Sequence, residues 1–399
     1  MSEARRADPD ETWAGGWLTI DLGAVVANWR ALRDRVAPAE CAAVVKADAY
    51  GLGIDQVAPA LSAAGCRSFF VAHLGEAVTL RRLLPADRDI YVLNGIPPGT
   101  AAAFLAHDLL PVLNSASQIG AWRTLAAAEG RALPAALQID TGMSRFGLSP
   151  DEVAALAARP GAYDGIETRL VMSHLGCADT PSHPANALQR DGFARLRPLL
   201  PAAPSSLAAS SGIFLGRGFH LDMVRPGAAL YGVPPTEARP NPMRAAVRLQ
   251  GRVVQTHTIP VGAFVGYGAA FVAARLSRIA TVAIGYADGF LRAGGGSGHA
   301  SLPGHDTLLP IVGRISMDCL AVDVTDLPAE ALPDGAPLDL IGPHRPLADA
   351  AAAAGTIGYE MLTALGARYH RTYRYDSGLA GAMAECPVTA PEPVEPLPA

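Results

Sequence analysis

The sequence predicts an α/β chain, an N-terminal (β/α)8 barrel followed by a mainly β C-terminal domain. From about residue 41 to 225, short apolar runs alternate with longer segments of helical period, which is the pattern of repeated βα units. After about residue 245 the pattern changes to alternating, β-rich segments punctuated by Gly, Pro and Asp. A chain of 399 residues is long enough for two such domains.

Eight segments of the first part have the length and composition of parallel strands. They are CAAVVK (41–46), RSFFVA (67–72), DIYVLN (89–94), LLPVL (109–113), LPAALQI (133–139), GIETRLVM (165–172), PSSLAA (204–209) and LDMVR (221–225). Helical patterns lie between them, and Ser149 is placed to cap the segment SPDEVAALAARP. Eight strands with helical crossovers within about 200 residues are what a closed barrel requires, with a doubly wound parallel sheet as the alternative.

These patterns divide the chain into four parts. We expect a disordered polar tail over 1–13, a barrel over 14–245, a β domain over 246–385 and a Pro-rich tail over 386–399. Neither tail has the apolar residues of a packed element.

The composition excludes several classes of protein. With 50% hydrophobic and 17% charged residues the chain is not intrinsically disordered, and its net charge of -5 argues against a nucleic acid or an anionic membrane as partner. No apolar run reaches the ~18 residues that span a bilayer, and the N-terminus lacks the apolar core of a signal peptide, so we expect a cytoplasmic protein. The five cysteines contain no CxxC pair, which favours buried thiols over disulfides.

Polar residues stand at the ends of several predicted strands. The residues are Lys46, Arg145, His174, Ser210, Ser211 and Arg225. Because barrel enzymes gather their catalytic groups at the C-terminal ends of the strands, we expect these side chains to share one rim. A lysine that ends a strand is usually solvated and inert. Burial and the two arginines would instead lower its pKa and make it a base or a Schiff-base amine.

A zinc site near His174 is disfavoured. Cys177 and His183 are close in sequence, but no second Cys/His pair is in register with them, and we predict no metal. A hydrogen bond between His174 and a rim arginine is the favoured alternative.

The second domain carries tyrosines in glycine-rich surroundings. Tyr267 lies between two glycines, where the backbone can closely approach another group, although a single tyrosine is usually structural. Tyr286 and Met317-Asp318 lie in the segments AIGYADG and GRISMDC, and Tyr359 is placed on a helix near the end.

Taken together, eight segments resemble the alanine racemase family and occur in that family's order. They are VVKADAYGLG, IDTGMSRFG, MSHLG, VRPGAALYG, VGYGAAF, AIGYADG, GRISMD and TIGYE, and the resemblance extends from about residue 17 to 375. Members of the family are fold-type III, pyridoxal 5'-phosphate (PLP) dependent isomerases with an N-terminal barrel and a C-terminal β domain. They work as head-to-tail homodimers with shared active sites.

The resemblance implies an enzyme that interconverts L-alanine and D-alanine through a PLP external aldimine and two bases. Lys46 would form the internal aldimine, and Tyr267 of the partner subunit would face it as the second base. The other implied cofactor contacts are Tyr50, Ser211, Tyr359 and the backbone amides of Gly227 and Ala228 at the phosphate, and Arg225 at the pyridine nitrogen with His174 behind it. Arg145 and the backbone of Met317 would bind the substrate carboxylate, and Tyr286 and Asp318 would line the way into the site.

Two positions depart from the family's pattern. The residue two before Asp140 is often a carbamylated lysine in the family but is Gln138 here, whose carbonyl oxygen could accept from Arg145, or an anion such as chloride could fill the space. The residue before the phosphate-binding serine is commonly Asn and is Ser210 here.

Other readings are less consistent with the motifs. A fold-type III decarboxylase would share Lys46 without the pairing of Tyr267 and Arg225, and a PLP-binding barrel without activity would lack the second domain. A cofactor-free Schiff-base aldolase leaves Tyr50 and Tyr359 unexplained. The sequence does not distinguish D-alanine biosynthesis from alanine catabolism, and serine or other small amino acids stay open as substrates because they differ from alanine by ~1 to 3 kcal/mol of binding.

Overall fold

The computed structural model describes residues 10–237, 240–375, 378, 379 and 383. The predicted tail over 386–399 lies outside these residues, as does the first predicted tail up to residue 9. Residues 10–13, which we expected to be disordered, form a turn in which the amides of Trp13 and Ala14 donate to the carbonyl of Asp10.

The described elements are numbered in chain order. The strands are β1 Gly16–Asp21, β2 Glu40–Cys41, β3 Ala43–Val44, β4 Ser68–Val71, β5 Asp89–Val92, β6 Leu110–Leu113, β7 Leu133–Gln138, β8 Ile166–Met172, β9 Ser205–Ala209, β10 Met223–Arg225, β11 Val247–Ile259, β12 Phe264–Val265, β13 Phe271–Val272, β14 Ser277–Val282, β15 His299–Ser301, β16 Leu308–Val312, β17 Leu320–Asp323, β18 Pro337–Ile341 and β19 His370–Arg374. The helices are α1 Leu22–Val36, α2 Lys46–Gly51, α3 Ile54–Ala63, α4 Leu74–Arg81, α5 Ala101–Ala106, α6 Ala116–Glu129, α7 Pro150–Ala157, α8 Ala185–Leu196, α9 Leu347–Ala353 and α10 Gly358–Ala364.

The first domain is a closed parallel barrel. Its strands are ordered β2-β10-β9-β8-β7-β6-β5-β4-β3. β2 and β3 are the two halves of one strand interrupted at Ala42, so pairing β2 with β10 and β3 with β4 closes the sheet. The predicted barrel is therefore confirmed, and each of the eight predicted segments contains a barrel strand.

The helical crossovers follow the predicted order up to β8. Ser149 caps α7 as predicted, because its hydroxyl accepts from the amide of Glu152 and the Glu152 carboxylate accepts from the amide of Ser149. β9 and β10 are followed by short 3-10 turns, Ser211–Leu215 and Ala228–Tyr231, in place of α-helices. Both turns lie at the rim where the predicted site residues gather.

The second domain is built on a mostly antiparallel sheet with the order β14-β17-β16-β15-β18-β11-β1-β19. β14 also pairs with β11, which curls the sheet. β1 belongs to this sheet, since it pairs with β11 and, in parallel, with β19. The sequence pattern places the barrel from residue 14 onward. In the structure the first strand lies in the β domain, and the chain enters the barrel through α1.

α10 and β19 connect the second domain to the first turn of the barrel. α2 packs against α10 so closely that a Cβ on Gly51 would lie 2.6 Å from the carbonyl oxygen of Leu362. Arg371 donates to the carbonyl of Gly51 at 2.8 Å, and the Tyr373 hydroxyl donates to that of Leu52 at 3.0 Å. The segment that follows Lys46 is therefore fixed from both domains.

None of the helices in the described ranges is long and apolar enough to cross a membrane.

The barrel core makes a stability prediction. Trp122 is fully buried, its ring meets Phe104 edge-on at 6.0 Å, and its Nε1 donates to the carbonyl of Leu133 at 3.3 Å. We expect Trp122→Ala to lower the free energy of unfolding by about 3 to 5 kcal/mol in urea titrations followed by circular dichroism. Trp13, which is 78% exposed, provides the control, and Trp13→Ala should change stability by less than about 0.5 kcal/mol. Equal losses in the two variants would contradict this packing.

Candidate active site

Lys46 lies at the mouth of the barrel, where β3 ends and α2 begins. The next four residues, Ala47 to Tyr50, all have left-handed backbone angles, with φ between 53° and 59°. This conformation costs roughly 1 to 2 kcal/mol for each residue with a side chain, so it must be held by its surroundings.

Hydrogen bonds donated by backbone amides hold the left-handed turn over 47–50. The amide of Ala47 donates to the Glu76 carboxylate at 2.6 Å. The Asp48 carboxylate accepts from the amide of Ile54 at 2.7 Å, and its carbonyl accepts from the amide of Gly53 at 3.0 Å. The turn brings Tyr50 back over the barrel rim.

The surroundings of Lys46 favour its neutral amine. Burial lowers the pKa of Lys46, the positive charge of Arg145 lowers it further, and the carboxylate of Glu76 partly opposes both effects. This is the direction that a base or an imine-forming amine requires.

Tyr50, Tyr359 and Ser211 form a cluster of hydroxyl groups beside Gly227. The Tyr50 ring lies 4.8 Å from the ring of Tyr231 and 6.3 Å from that of Tyr359, and Tyr359 shares a hydrogen bond with Ser211. A Cβ on Gly227 would lie 2.3 Å from the Tyr50 hydroxyl oxygen, so only glycine leaves room for this contact. The cluster offers several donors to an anion.

Ser210 organises the turn after β10. Its buried hydroxyl accepts from the amides of Gly227 at 3.0 Å and Ala229 at 3.2 Å. The amide of Gly227, which the family resemblance assigns to the phosphate, is thus already bonded to Ser210. Ser210 therefore holds the turn after β10 in place. The replacement of the family's Asn by Ser gave no indication of this structural role.

Arg225 is the last residue of β10 and is only 3% exposed. One terminal nitrogen donates to the hydroxyl of Ser206, and the other donates to the carbonyl of Ser173 at 2.6 Å. Burial lowers the pKa of Arg225 to about 9. Among the described residues Nε has no hydrogen-bond partner, which leaves one nitrogen of the guanidinium for a ligand.

His174 is held neutral. Burial, followed by the positive charges of Arg225, Arg145 and Lys46, lowers the pKa of His174 from 6.5 to about 3. The expected hydrogen bond between His174 and a rim arginine is not formed among the described residues, where the terminal nitrogens of Arg225 donate to Ser173 and Ser206 instead. Within the described ranges no three His, Cys, Asp or Glu side chains group as metal ligands.

Arg145 is presented by a loop that Asp140 closes. The Asp140 carboxylate accepts from the amides of Gly142, Met143 and Ser144 at 2.8 to 3.2 Å. Gln138 donates to the carbonyl of Phe146 at 3.5 Å. The expected hydrogen bond from Arg145 to Gln138 is absent from the described part of the chain.

Tyr267, Met317 and Tyr286 lie on the second domain. Tyr267 is 72% exposed on the hairpin of β12 and β13, which approaches Gly313 so closely that a Cβ there would lie 2.7 Å from the carbonyl of Val265. In the described part of this single chain no hydrogen bond or ring contact joins Tyr267 to Lys46. The structure therefore brings the barrel residues together, and these three lie on the second domain.

Arg368 joins the turn that contains Tyr286 to the turn that contains Met317. It donates to both oxygens of the buried Asp288 at 2.6 and 2.9 Å and to Asp318 at 2.8 Å. The Tyr286 turn is joined to the Met317 turn by the amides of Tyr286 and Ala287, which donate to the carbonyls of Ser316 and Met317 at 3.0 Å.

Sequence reasoning missed several residues that shape the site. They are Glu76, Ser206, Tyr231 and Arg368. Ser206 had a signal, since it is a polar residue inside an apolar strand. Glu76 and Arg368 act across long sequence separations and carried none.

Family models, curated proteins and solved structures are similar to most of this chain. The family models described as alanine racemase, N-terminal domain, and alanine racemase, C-terminal domain, match residues 20–235 and 246–373. A catabolic alanine racemase of Mesorhizobium japonicum is 51% identical over 91% of this chain and 94% of its own length, and an alanine racemase of Methylobacterium nodulans is 50% identical over 92% and 98%. The crystal structure of the Bartonella henselae alanine racemase with covalently bound pyridoxal phosphate superposes with a TM-score of 0.87, at 44% identity, and covers 90% of this chain and 100% of that one.

The lowered pKa of His174 makes a prediction about stability and pH. In the unfolded chain the imidazole takes up a proton below about pH 6.5, whereas in the native protein it stays neutral to about pH 3. Its contribution to stability is therefore complete above pH 6.5 and is lost as the pH falls. Between about pH 7.5 and about pH 5.5 His174→Gln should lose roughly 1.4 kcal/mol less stability than the wild type in urea titrations.

The control for this experiment is His183→Gln, which removes an exposed histidine and should keep the pH dependence of the wild type. If His174→Gln also followed the wild type, the neutral state of His174 would be refuted.

Proposed function

The chain belongs to the alanine racemase family, a PLP-dependent isomerase that interconverts L-alanine and D-alanine, and we propose that Lys46 and the Tyr267 of a second subunit are its two bases. The observation that carries this proposal is the separation of the two residues. Lys46 lies half-buried at the mouth of the barrel beside the positive charge of Arg145, and Tyr267 is 72% exposed on the second domain of the same chain. A proton removed from one face of Cα and returned to the other needs two groups on opposite sides.

The barrel residues fit PLP. Lys46 would hold the cofactor through its amine, and the hydroxyls of Tyr50, Ser211 and Tyr359 would bind the phosphate beside Gly227. The amide of Ala228 would complete the phosphate contacts, with that of Gly227 shared with Ser210. Bound PLP supplies an electron-withdrawing ring that stabilises negative charge at Cα.

We assign Arg225 to the pyridine nitrogen of PLP. Its terminal nitrogens are bound by Ser173 and Ser206, so Nε is the group that would donate to the ring. A cation at this position disfavours protonation of the ring nitrogen and limits how much negative charge the ring withdraws. His174, neutral beside it, adds no further charge.

Substrate binding would combine residues of the barrel and of the second domain. Arg145 supplies a planar cation for the carboxylate, and the backbone of Met317 supplies a second contact. Tyr286 and Asp318 would line the way in, on turns that Arg368 keeps in place. Since Gln138 bonds to the carbonyl of Phe146, it orders the Arg145 loop rather than Arg145 itself.

The exposed apolar side chains around Tyr267 support the proposal of a homodimer with shared sites. Phe264, Tyr267 and Val272 are all more than half exposed on one hairpin. Such an apolar patch indicates a protein interface. A symmetric dimer that buries it would carry each Tyr267 toward the Lys46 of the partner.

The location and direction of the reaction are also proposals. Cys41, Cys66, Cys177 and Cys319 are free thiols, which supports a reducing compartment such as the cytoplasm. Enantiomers have equal free energies in water, so the supply and removal of alanine set the net direction of the reaction.

The two-base proposal predicts an asymmetric defect. Tyr267→Phe should slow racemisation by roughly 10²- to 10⁴-fold, while Lys46 still exchanges the Cα proton of the enantiomer that faces it. In heavy water, mass spectrometry should show deuterium entering one alanine enantiomer and not the other. Tyr375→Phe, at another exposed tyrosine, should behave as the wild type. Equal loss of exchange from both enantiomers would argue against the assignment.

The shared site predicts complementation between two inactive variants. Lys46→Ala and Tyr267→Phe each damage both sites of their own homodimer, but a mixed dimer has one intact site. Co-expression with different affinity tags should restore about a quarter of wild-type activity in the mixed pool. Lys46→Ala co-expressed with itself is the control. If the mixed dimer forms and stays inactive, the site is not shared in this way.

A further inference from the structure

We propose that Glu76 is a positioning residue for the racemisation, because its carboxylate anchors the left-handed turn that sets Lys46 against Tyr50. This inference rests on the proposed role of Lys46 and adds a residue from a neighbouring barrel strand.

The carboxylate joins the ends of two strands. One oxygen accepts from the amide of Ala47 at 2.6 Å, directly after Lys46. The other accepts from the amides of Ala72 at 2.8 Å and His73 at 3.0 Å, directly after β4. Three N–H donors from two segments thus converge on one ionised acceptor, which makes short, strong hydrogen bonds.

Glu152 shows what a helix cap alone requires. It occupies the third position of α7 as Glu76 does of α4, and its carboxylate accepts from the amide and hydroxyl of Ser149 at 2.8 and 2.9 Å. These contacts remain within its own helix start. The bond from Glu76 to Ala47 reaches across to another strand and has no part in capping α4.

The bond acts where the left-handed turn begins. Ala47 has φ 53° and no side chain that could hold this conformation, unlike Asp48, whose carboxylate binds the amide of Ile54. Lys46 precedes the turn and Tyr50 ends it, so a change in the angles of Ala47 alters the separation of the amine and the phenol. Both groups are assigned to the same cofactor.

Glu76 also places a negative charge near Lys46, opposite in sign to the charge of Arg145. The charged and titratable groups that act on the amine are Glu76 and Arg145, and the nearby His174 is neutral. Burial and Arg145 lower the pKa of Lys46, and Glu76 raises it. Removing the carboxylate therefore leaves a lysine that loses its proton at still lower pH.

The test compares Glu76→Gln and Glu76→Asp with the matched control Glu152→Gln. Glu76→Gln keeps the length of the side chain and removes the charge, and Glu76→Asp keeps the charge but is one methylene too short to join both strand ends. Three quantities are measured on the full-length chain. They are kcat with saturating PLP, the visible circular dichroism of bound PLP, and the pH midpoint of Lys46 acetylation after PLP is removed, followed by mass spectrometry.

We expect kcat to fall about 10- to 100-fold in both Glu76 variants, with an altered dichroism of bound PLP. The acetylation midpoint should fall by roughly half a pH unit or more in Glu76→Gln and stay near the wild-type value in Glu76→Asp. Glu152→Gln should lower Tm to a similar extent and leave kcat, dichroism and midpoint unchanged.

The proposal is overturned if Glu76→Gln matches Glu152→Gln in all three readouts, because Glu76 would then be a helix cap only. If Glu76→Gln does not fold, wild-type kcat and dichroism in Glu76→Asp overturn it equally. The acetylation midpoint reports on Glu76 whatever the activity. Absence of racemisation by the wild-type chain would refute the proposed function and leave that measurement standing.

Discussion

The site depends on a backbone constraint, the left-handed turn over 47–50 at the mouth of the barrel. Four residues with side chains take an unfavourable conformation in succession, at roughly 1 to 2 kcal/mol each. The turn returns Tyr50 to the rim, where its hydroxyl closes on Gly227 and its ring packs on Tyr231. A relaxed helix after β3 would carry Tyr50 away from Gly227, and the hydroxyl cluster would not form.

This constraint explains why the second domain packs on α2. A strained turn persists only where its surroundings stabilise it, and α10 with Arg371 and Tyr373 supplies contacts that the barrel lacks. The same helix carries Tyr359 into the hydroxyl cluster. One interface therefore both stabilises the turn and completes the hydroxyl cluster, which links the stability of the fold to the geometry of the cluster.

The sequence was sufficient to predict what depends on local pattern. Alternation of apolar runs located the eight barrel strands, and their last polar residues located Lys46 and Arg225. It could not place β1, because a short amphipathic strand has the same pattern in either sheet and its partners lie more than two hundred residues away. Nor could it predict the left-handed turn, since three of its four residues are Ala or Tyr, which favour other conformations. Nor could it predict the partners of Arg225, because Ser173 and Ser206 lie far from it in sequence and contact it only in the folded barrel.

The cations of the rim give a chain with net charge -5 a locally positive region. Arg225 is buried with only neutral partners among the described residues, Ser173 and Ser206, and His174 is kept from adding a proton. A buried cation without an anion raises the free energy of the folded protein. Binding of a phosphate or carboxylate would therefore stabilise the rim. Asp288 and Asp318 instead form ion pairs with Arg368 on the second domain. The buried charge of Arg225 therefore has no acidic partner among the described residues, whereas Arg368 on the second domain has two.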